Sequence, residues 1–287
     1  MAFKTILLPI RESSTADSLM ETAISMAVRN DGHLDLLYVK KETEHMIPFS
    51  NMGISASMRK TIIESANASA EKESEALKQR FAEICQRYSV PIQPRDAGYG
   101  NVSADFLERT GQRDELIGRY GRLADLIIVP QPVKTTPPPS SFEAALRESG
   151  RPVLMTQRNV VLDIPGKRLA IGWNSSKEAA QAISSMLGNL KRADKVFVLS
   201  SEDRMKQPVN AEDACIYLRR HGVSAEPILF NSKNMSAGEA LLAKAGEMEC
   251  DRLVVGGYSR PKLRNIIMGS ATGHLLAHAK IPVIFVH

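Results

Sequence analysis

The chain of 287 residues is 43% hydrophobic and 24% charged, with aromatics at only 5%, which suits one large or two ordinary globular domains with cores of Ile, Leu, Val, Ala and Met. Its net charge of +5 is lopsided: residues 1–157 hold 19 Lys and Arg against 20 Asp and Glu (net −1), residues 158–287 hold 18 against 12 (net +6). No apolar run is long enough to cross a bilayer, and Cys85, Cys215 and Cys250 are too scattered for a disulfide framework or a metal site, so a reducing, cytoplasmic setting without membrane contact is expected.

The opening MAFKTILLPI reads as a strand, with KTILLPIR at 4–11, rather than as a secretory leader. A Ser-containing turn leads to an Ala/Met-rich helix over about 15–29, then LDLLYV forms a strand at 34–39. Residues 42–56 are a polar insertion, either a flap over a cleft or a mobile loop, with the loop the better reading. The long helix over about 57–88 carries the run EKESEALKQRFAE, whose charge spacing supports a solvated helix face. A strand is expected at 91–96 and a helix at 102–119, entered through Gly98–Gly100. The last strands of this half are DLIIVP at 125–130 and RPVLMT at 151–156, separated by QPVKTTPPPS and the helical FEAALRES.

After a joining segment, 158–166, the design repeats. KRLAIGWN at 167–174 matches KTILLPIR, and helix 176–190 and strand 195–200 follow. Then come helix 210–221, strand 226–230, helix 236–247, DRLVVG at 251–256 and IPVIFV at 281–286. Each half reads β-α-β-α-β-α-β-α-β with strands almost wholly apolar, the pattern of parallel strands buried on both faces. Open sheets of this kind bind ligands at the carboxyl ends of their strands, where strand order switches. Those ends are Pro9–Ser13 and Pro130 in the first half, Gly172–Ser176 and Gly256 in the second.

Only the second half has glycines there. VVGGYSRPKLRNIIMGS at 254–270 runs from an apolar strand into Gly256-Gly257, through Arg260, Lys262 and Arg264, to Gly269-Ser270 at a helix start. Glycine lets backbone approach an anion, and the first helical N–H groups point at it. In the first half, Pro130 stands where a glycine belongs, and Pro137–Pro139 stiffen a shorter loop and remove donors. Ser140 and Ser141 precede its helix and leave a weak anion site. His274 and His278 have metal-sharing spacing, but HLLAH lacks the acidic neighbour of a zinc helix and reads as a helix face. No recognition helix or aromatic-interleaved basic stretch points to nucleic acid.

The spacing Gly256, two residues, Ser259, nine residues, Gly269-Ser270 resembles the motif of the universal stress protein family, with Ser259 replacing one glycine. The closing IPVIFVH resembles the family's last strand. The resemblance covers both halves and implies two tandem five-stranded α/β domains, Rossmann-like, forming an internal pseudo-dimer through 151–156 and 281–286. It divides the chain into 1–157, without the glycine motif, and 158–287, with a near-intact one. It implies an ATP-type nucleotide, with Mg²⁺ shared by its phosphates, held by Gly172, Trp173, Asn174, Val255, Gly256, Gly257, Ser259, Gly269, Ser270 and Ala271.

Asn174 stands where the family has an adenine-contacting aspartate, and Arg11 occupies that place in the first half. Trp173 could pack on a base, but core filling is the better reading. If the Ser259 place needs a positive φ, two readings stand: Gly257 takes the unusual conformation instead, or the Ser259 hydroxyl donates to a phosphate oxygen. The leading function is a stress or regulatory protein that binds an adenine nucleotide. The alternatives are a nucleotide-free scaffold or carrier of a small ligand between the domains, and a slow ATPase, ranked lower because no general base stands near the motif. Two chains could also pair as a homodimer.

Overall fold

The computed structural model describes residues 3–11, 13–42, 55–97, 100–133, 139–162, 166–231, 235–257 and 270–287. Ten strands form one continuous sheet. The first five are β1 (Thr5–Ile10), β2 (His33–Lys40), β3 (Ser103–Thr110), β4 (Leu126–Pro130) and β5 (Val153–Thr156). The second five are β6 (Arg168–Gly172), β7 (Lys195–Ser201), β8 (Ala225–Phe230), β9 (Arg252–Gly256) and β10 (Val283–Val286). Their order is β3-β2-β1-β4-β5-β10-β9-β6-β7-β8, so each half contributes the order 3-2-1-4-5. Every pairing is parallel except β5 with β10, where Leu154 faces Ile284 at the centre of an antiparallel seam.

The helices are α1 (Ala16–Asn30), α2 (Ala56–Arg87), α3 (Arg113–Gly121), α4 (Ser140–Glu143, continued as a π-helix over Ala144–Glu148), α5 (Lys177–Leu190), α6 (Ala211–Arg220), α7 (Ala237–Glu247) and α8 (Ser270–His278). Side chains alternate across a strand. Ile6, Leu8, Ile10, Leu34, Leu36 and Tyr38 therefore join one core with α1, α2, α5 and α6. Leu7, Leu37, Val39, Phe197 and Leu199 join a second core, on the other face, with α3, the π-helix, α7 and α8.

The repeat extends to single hydrogen bonds. The Asp125 carboxylate accepts from the N–H groups of Lys4 and Thr5 at 2.7 and 3.0 Å, and Asp251 accepts from those of Lys167 and Arg168 at the same distances. Each aspartate thus ties the start of its fourth strand to the start of its first, a tie between a carboxylate and backbone donors that water would otherwise solvate.

The expected strand at 91–96 and helix at 102–119 are not what the chain forms. The third strand is Ser103–Thr110, fully in register with β2, and α3 begins only at Arg113. Pro91 and Pro94 offer no N–H donors, so this segment makes only an isolated bridge, Ile92 to Ala104. Ser140 and Ser141 lie inside α4 rather than ahead of it; Pro139 stands in the capping place, with no side-chain cap. The loop expected at 42–56 falls largely on 43–54, outside the described residues. No helix among the described residues is long and apolar enough to cross a membrane.

Candidate functional site

The first and fourth strands of the second half, β6 and β9, are neighbours, with Gly172 opposite Val255. From β6 the order runs to β7 and β8 on one side, and from β9 to β10 on the other. The carboxyl ends of β6 and β9 are therefore the switch point at which such sheets open a crevice. This brings Gly172, Trp173 and Asn174 beside Val255, Gly256 and Gly257. Ser259 and Gly269 lie outside the described residues. Ser270 opens α8, and Ala271 follows in its first turn, its carbonyl packed against Gly238 of α7.

Each described glycine at this end has a packing reason. A Cβ on Gly256 would meet the Ala179 nitrogen at 2.6 Å and the Glu178 carbonyl carbon at 2.7 Å. The bare strand end thus lets the first turn of α5 sit directly against it. A Cβ on Gly172 would press on Val255 Cγ1 at 3.1 Å and Leu241 at 3.3 Å. Gly257 does not take the unusual conformation that one of the two readings gives it: its φ lies outside the left-handed region. Its N–H donates to Val286 O at 2.7 Å, and the place of its Cβ is 3.0 Å from Leu146 Cδ2, in the π-helix of the other half. Glycine is there for close packing across the seam.

The strain sits instead at Ser175, with φ +61 in the turn between β6 and α5. Local hydrogen bonds hold that turn. Asn174 Oδ1 accepts from Ser176 N–H at 3.1 Å, Ser175 Oγ donates to Val209 O, and Ser176 Oγ caps α5 by accepting from Ala179 N–H at 3.2 Å. The Asn174 carbonyl accepts from Arg204 Nη1 at 3.4 Å. Trp173 is 8% exposed, belongs to the core, and donates from Nε1 to Val209 O at 3.4 Å.

Two residues that sequence reading passed over belong to this end. Glu178, in the first turn of α5, is 3% exposed, and its Cβ is 2.9 Å from where a Gly256 Cβ would be. Its described cationic neighbour is Lys177, with Nζ 3.7 Å from Oε1. Its sequence signal is only an acid two residues past a serine cap; its burial follows from Gly256. Ser200, near the end of β7, is 1% exposed, and its hydroxyl has no partner among the described residues.

The same end of the first half is closed by side chains. The register equates Ile10 with Trp173, Tyr38 with Ser200 and Pro130 with Gly256. Tyr38 stands in the place that Ser200 takes in the second half, and its hydroxyl donates to Ala70 O of α2 at 3.1 Å. Burial and the nearby Glu73 push that hydroxyl up to about 12. Beside it, Glu108 takes Lys40 at 2.7 Å, Lys78 at 3.1 Å and the Ser74 hydroxyl. Burial alone would raise the Glu108 carboxyl, but those three donors override it and bring it down to about 2. At the seam, where Gly257 admits Leu146, the equivalent Gln131 donates from Nε2 to the Leu276 and Ala279 carbonyls at 3.1 and 3.2 Å.

His274 and His278 face each other at 4.5 Å between ring centroids, but no third metal-ligating side chain joins them among the described residues.

Comparison with known proteins agrees with this architecture. Residues 200–287 match the profile of the universal stress protein family. No curated protein matches the chain. A universal stress protein from Archaeoglobus fulgidus DSM 4304 superposes with a TM-score of 0.74 at 13% identity, over 100% of this chain and 99% of that one. A protein from Pseudomonas aeruginosa PAO1, described as functionally unknown, superposes at 0.58 and 16% identity, over 99% of this chain and 92% of that one. At such identities the likeness is one of fold. The match to the universal stress protein family lies in residues 200–287, and the whole chain shares its fold with a solved universal stress protein.

Proposed function

We propose that the chain is a regulatory, stress-response protein that binds an adenine nucleotide in its second half, at the carboxyl ends of β6 and β9. The observation that carries this reading is the bare strand end at Gly256, with the first turn of α5 packed on it at the switch point of the sheet. Helix N-terminal amides and a glycine strand end are what a phosphate chain uses. Gly172, Trp173, Asn174, Val255, Gly256, Gly257, Ser259, Gly269, Ser270 and Ala271 are the proposed contacts, and the division falls between 157 and 158. Asn174 supplies an amide that both accepts and donates, which suits the adenine edge.

The buried carboxylate of Glu178 would repel phosphates unless a cation lies between them. This supports a nucleotide bound with Mg²⁺ over the free anion. Among the described residues, it is the Glu178 backbone and Cβ that pack against Gly256, while its carboxylate lies 3.7 Å from Lys177 Nζ, and its burial in the first turn of α5 suits charge pairing better than proton transfer from water. Binding is therefore ranked above hydrolysis. Three buried free thiols suit a reducing cytoplasm.

Purified protein, heated and analysed by mass spectrometry, is expected to release an adenine nucleotide, or else to gain several degrees in Tm with ATP and Mg²⁺. Glu178→Gln is expected to reduce the Mg²⁺ requirement. No released nucleotide and no thermal shift would favour the scaffold or carrier reading.

A further inference from the structure

The first half lacks the glycine motif, yet two arginines come to the carboxyl end of its first strand. Arg113, the first residue of α3, reaches across to β1 and donates from Nη1 to Ile10 O at 2.8 Å. Arg11 is the next residue after Ile10, and it is exposed. The Arg113 guanidinium therefore lies against the peptide that joins Ile10 to Arg11. Neither guanidinium forms an ion pair among the described residues. Asp114 and Glu73 are close enough to be felt by Arg113 but do not pair with it. Burial, and then the Arg11 charge, hold the Arg113 guanidinium down to about 10.

Two neighbouring cations that form no ion pair among the described residues repel each other, and the arrangement adds nothing to stability. They stand at the β1/β4 switch point, the place in this half that corresponds to β6/β9. Nearby Lys40 and Lys78 are already committed to Glu108, and Lys40 also to Glu71, so these do not compete for a ligand. The two equivalent positions in the second half carry no such pair: Asn174 replaces Arg11, and α7 begins with Ala237-Gly238.

We infer that Arg11 and Arg113 form an anion site in the first half that takes a phosphate group, by a different chemistry from a glycine loop. Two planar forks meet phosphate oxygens with paired hydrogen bonds. The site is independent of the nucleotide reading for the second half.

Titration calorimetry on the full chain at fixed ionic strength tests it, with inorganic phosphate as probe. Saturable binding is expected, weakened at least about tenfold by Arg11→Gln. Arg113→Lys keeps the charge and loses the fork, and it is expected to weaken binding as well. Lys280→Gln, which removes a surface charge elsewhere, is expected to leave affinity unchanged. A parallel arm with glycerol phosphate separates sources: tighter binding than the free ion marks a phosphorylated metabolite, equal binding marks phosphate itself. No saturable binding by the wild-type chain, or full affinity in either arginine variant with native circular dichroism, would overturn the inference. Neither result depends on whether ATP binds the second half.

Discussion

Ile10 beside Tyr38, and Trp173 beside Ser200, occupy the same two places in the two halves, at the ends of paired neighbouring strands on the same face. The bulk has changed sides. In the first half it stands on the second strand and is tied to α2 through its hydroxyl; in the second it stands just past the first strand and is tied to the Val209 carbonyl. Around Tyr38, cations and carboxylates saturate one another; around Trp173, a serine hydroxyl is left over and a glycine end is bare. One backbone design therefore packs its two sheet ends differently, with a tyrosine and its ion pairs at one and a tryptophan and a glycine against α5 at the other.

The largest expected effect comes from filling the bare end. Gly256→Ala drives a Cβ into backbone at 2.6 Å, which no rotamer can relieve. A loss of about 3 kcal/mol in denaturant unfolding is expected, as for overpacked sites. A loss below about 1 kcal/mol would show that α5 can back away and that the two ends differ less than their packing implies.

The Tyr38 end is tested through the Glu108 carboxylate. Glu108 is held at about 2 against an ordinary 4.5, so its contribution is complete above the ordinary value and is lost as pH falls from there toward about 2. Partial exposure screens the network, so Glu108→Gln is expected to lose about 1–2 kcal/mol at pH 7. The difference from the wild-type chain should narrow in acid. An unchanged difference at pH 3 would mean that the charge does not hold that end together.

The smallest effect separates strain from hydrogen bonding at Ser175. Ser175→Ala loses the bond to Val209 and keeps the positive φ, an expected loss of about 1 kcal/mol. Ser175→Gly loses the same bond but relieves the backbone, and it is expected to be the more stable of the two variants. The reverse order would show that the turn carries no strain.

Much of the fold was legible because it is written locally. Apolar strand runs, Ala-rich helices and the matched KTILLPIR and KRLAIGWN gave the halves, and the seam followed from the apolar last strands. The third strand was misplaced because SADFLERT is charged and half-exposed, and only its register with β2 identifies it. The site was legible where spacing carries it, as at Gly256. It was illegible where a partner is far away in sequence. Gly257 is small because of Leu146, more than a hundred positions earlier, and Glu178 is buried because Gly256 is small. The exchange of bulk between Tyr38 and Trp173 needs the strand register before it can be seen at all.

The antiparallel pairing of β5 with β10 joins two copies of one design within a single chain. Two separate chains meeting this way would come apart on dilution; here the partner is tethered and its effective concentration never falls. In a symmetric pair, any substitution would appear twice and alter both ends. Along one chain it appears once, so a tyrosine could stand at one end while the other kept its glycine. Any ligand held by a single end would then be counted one per chain, with no second equal site for it to cooperate with.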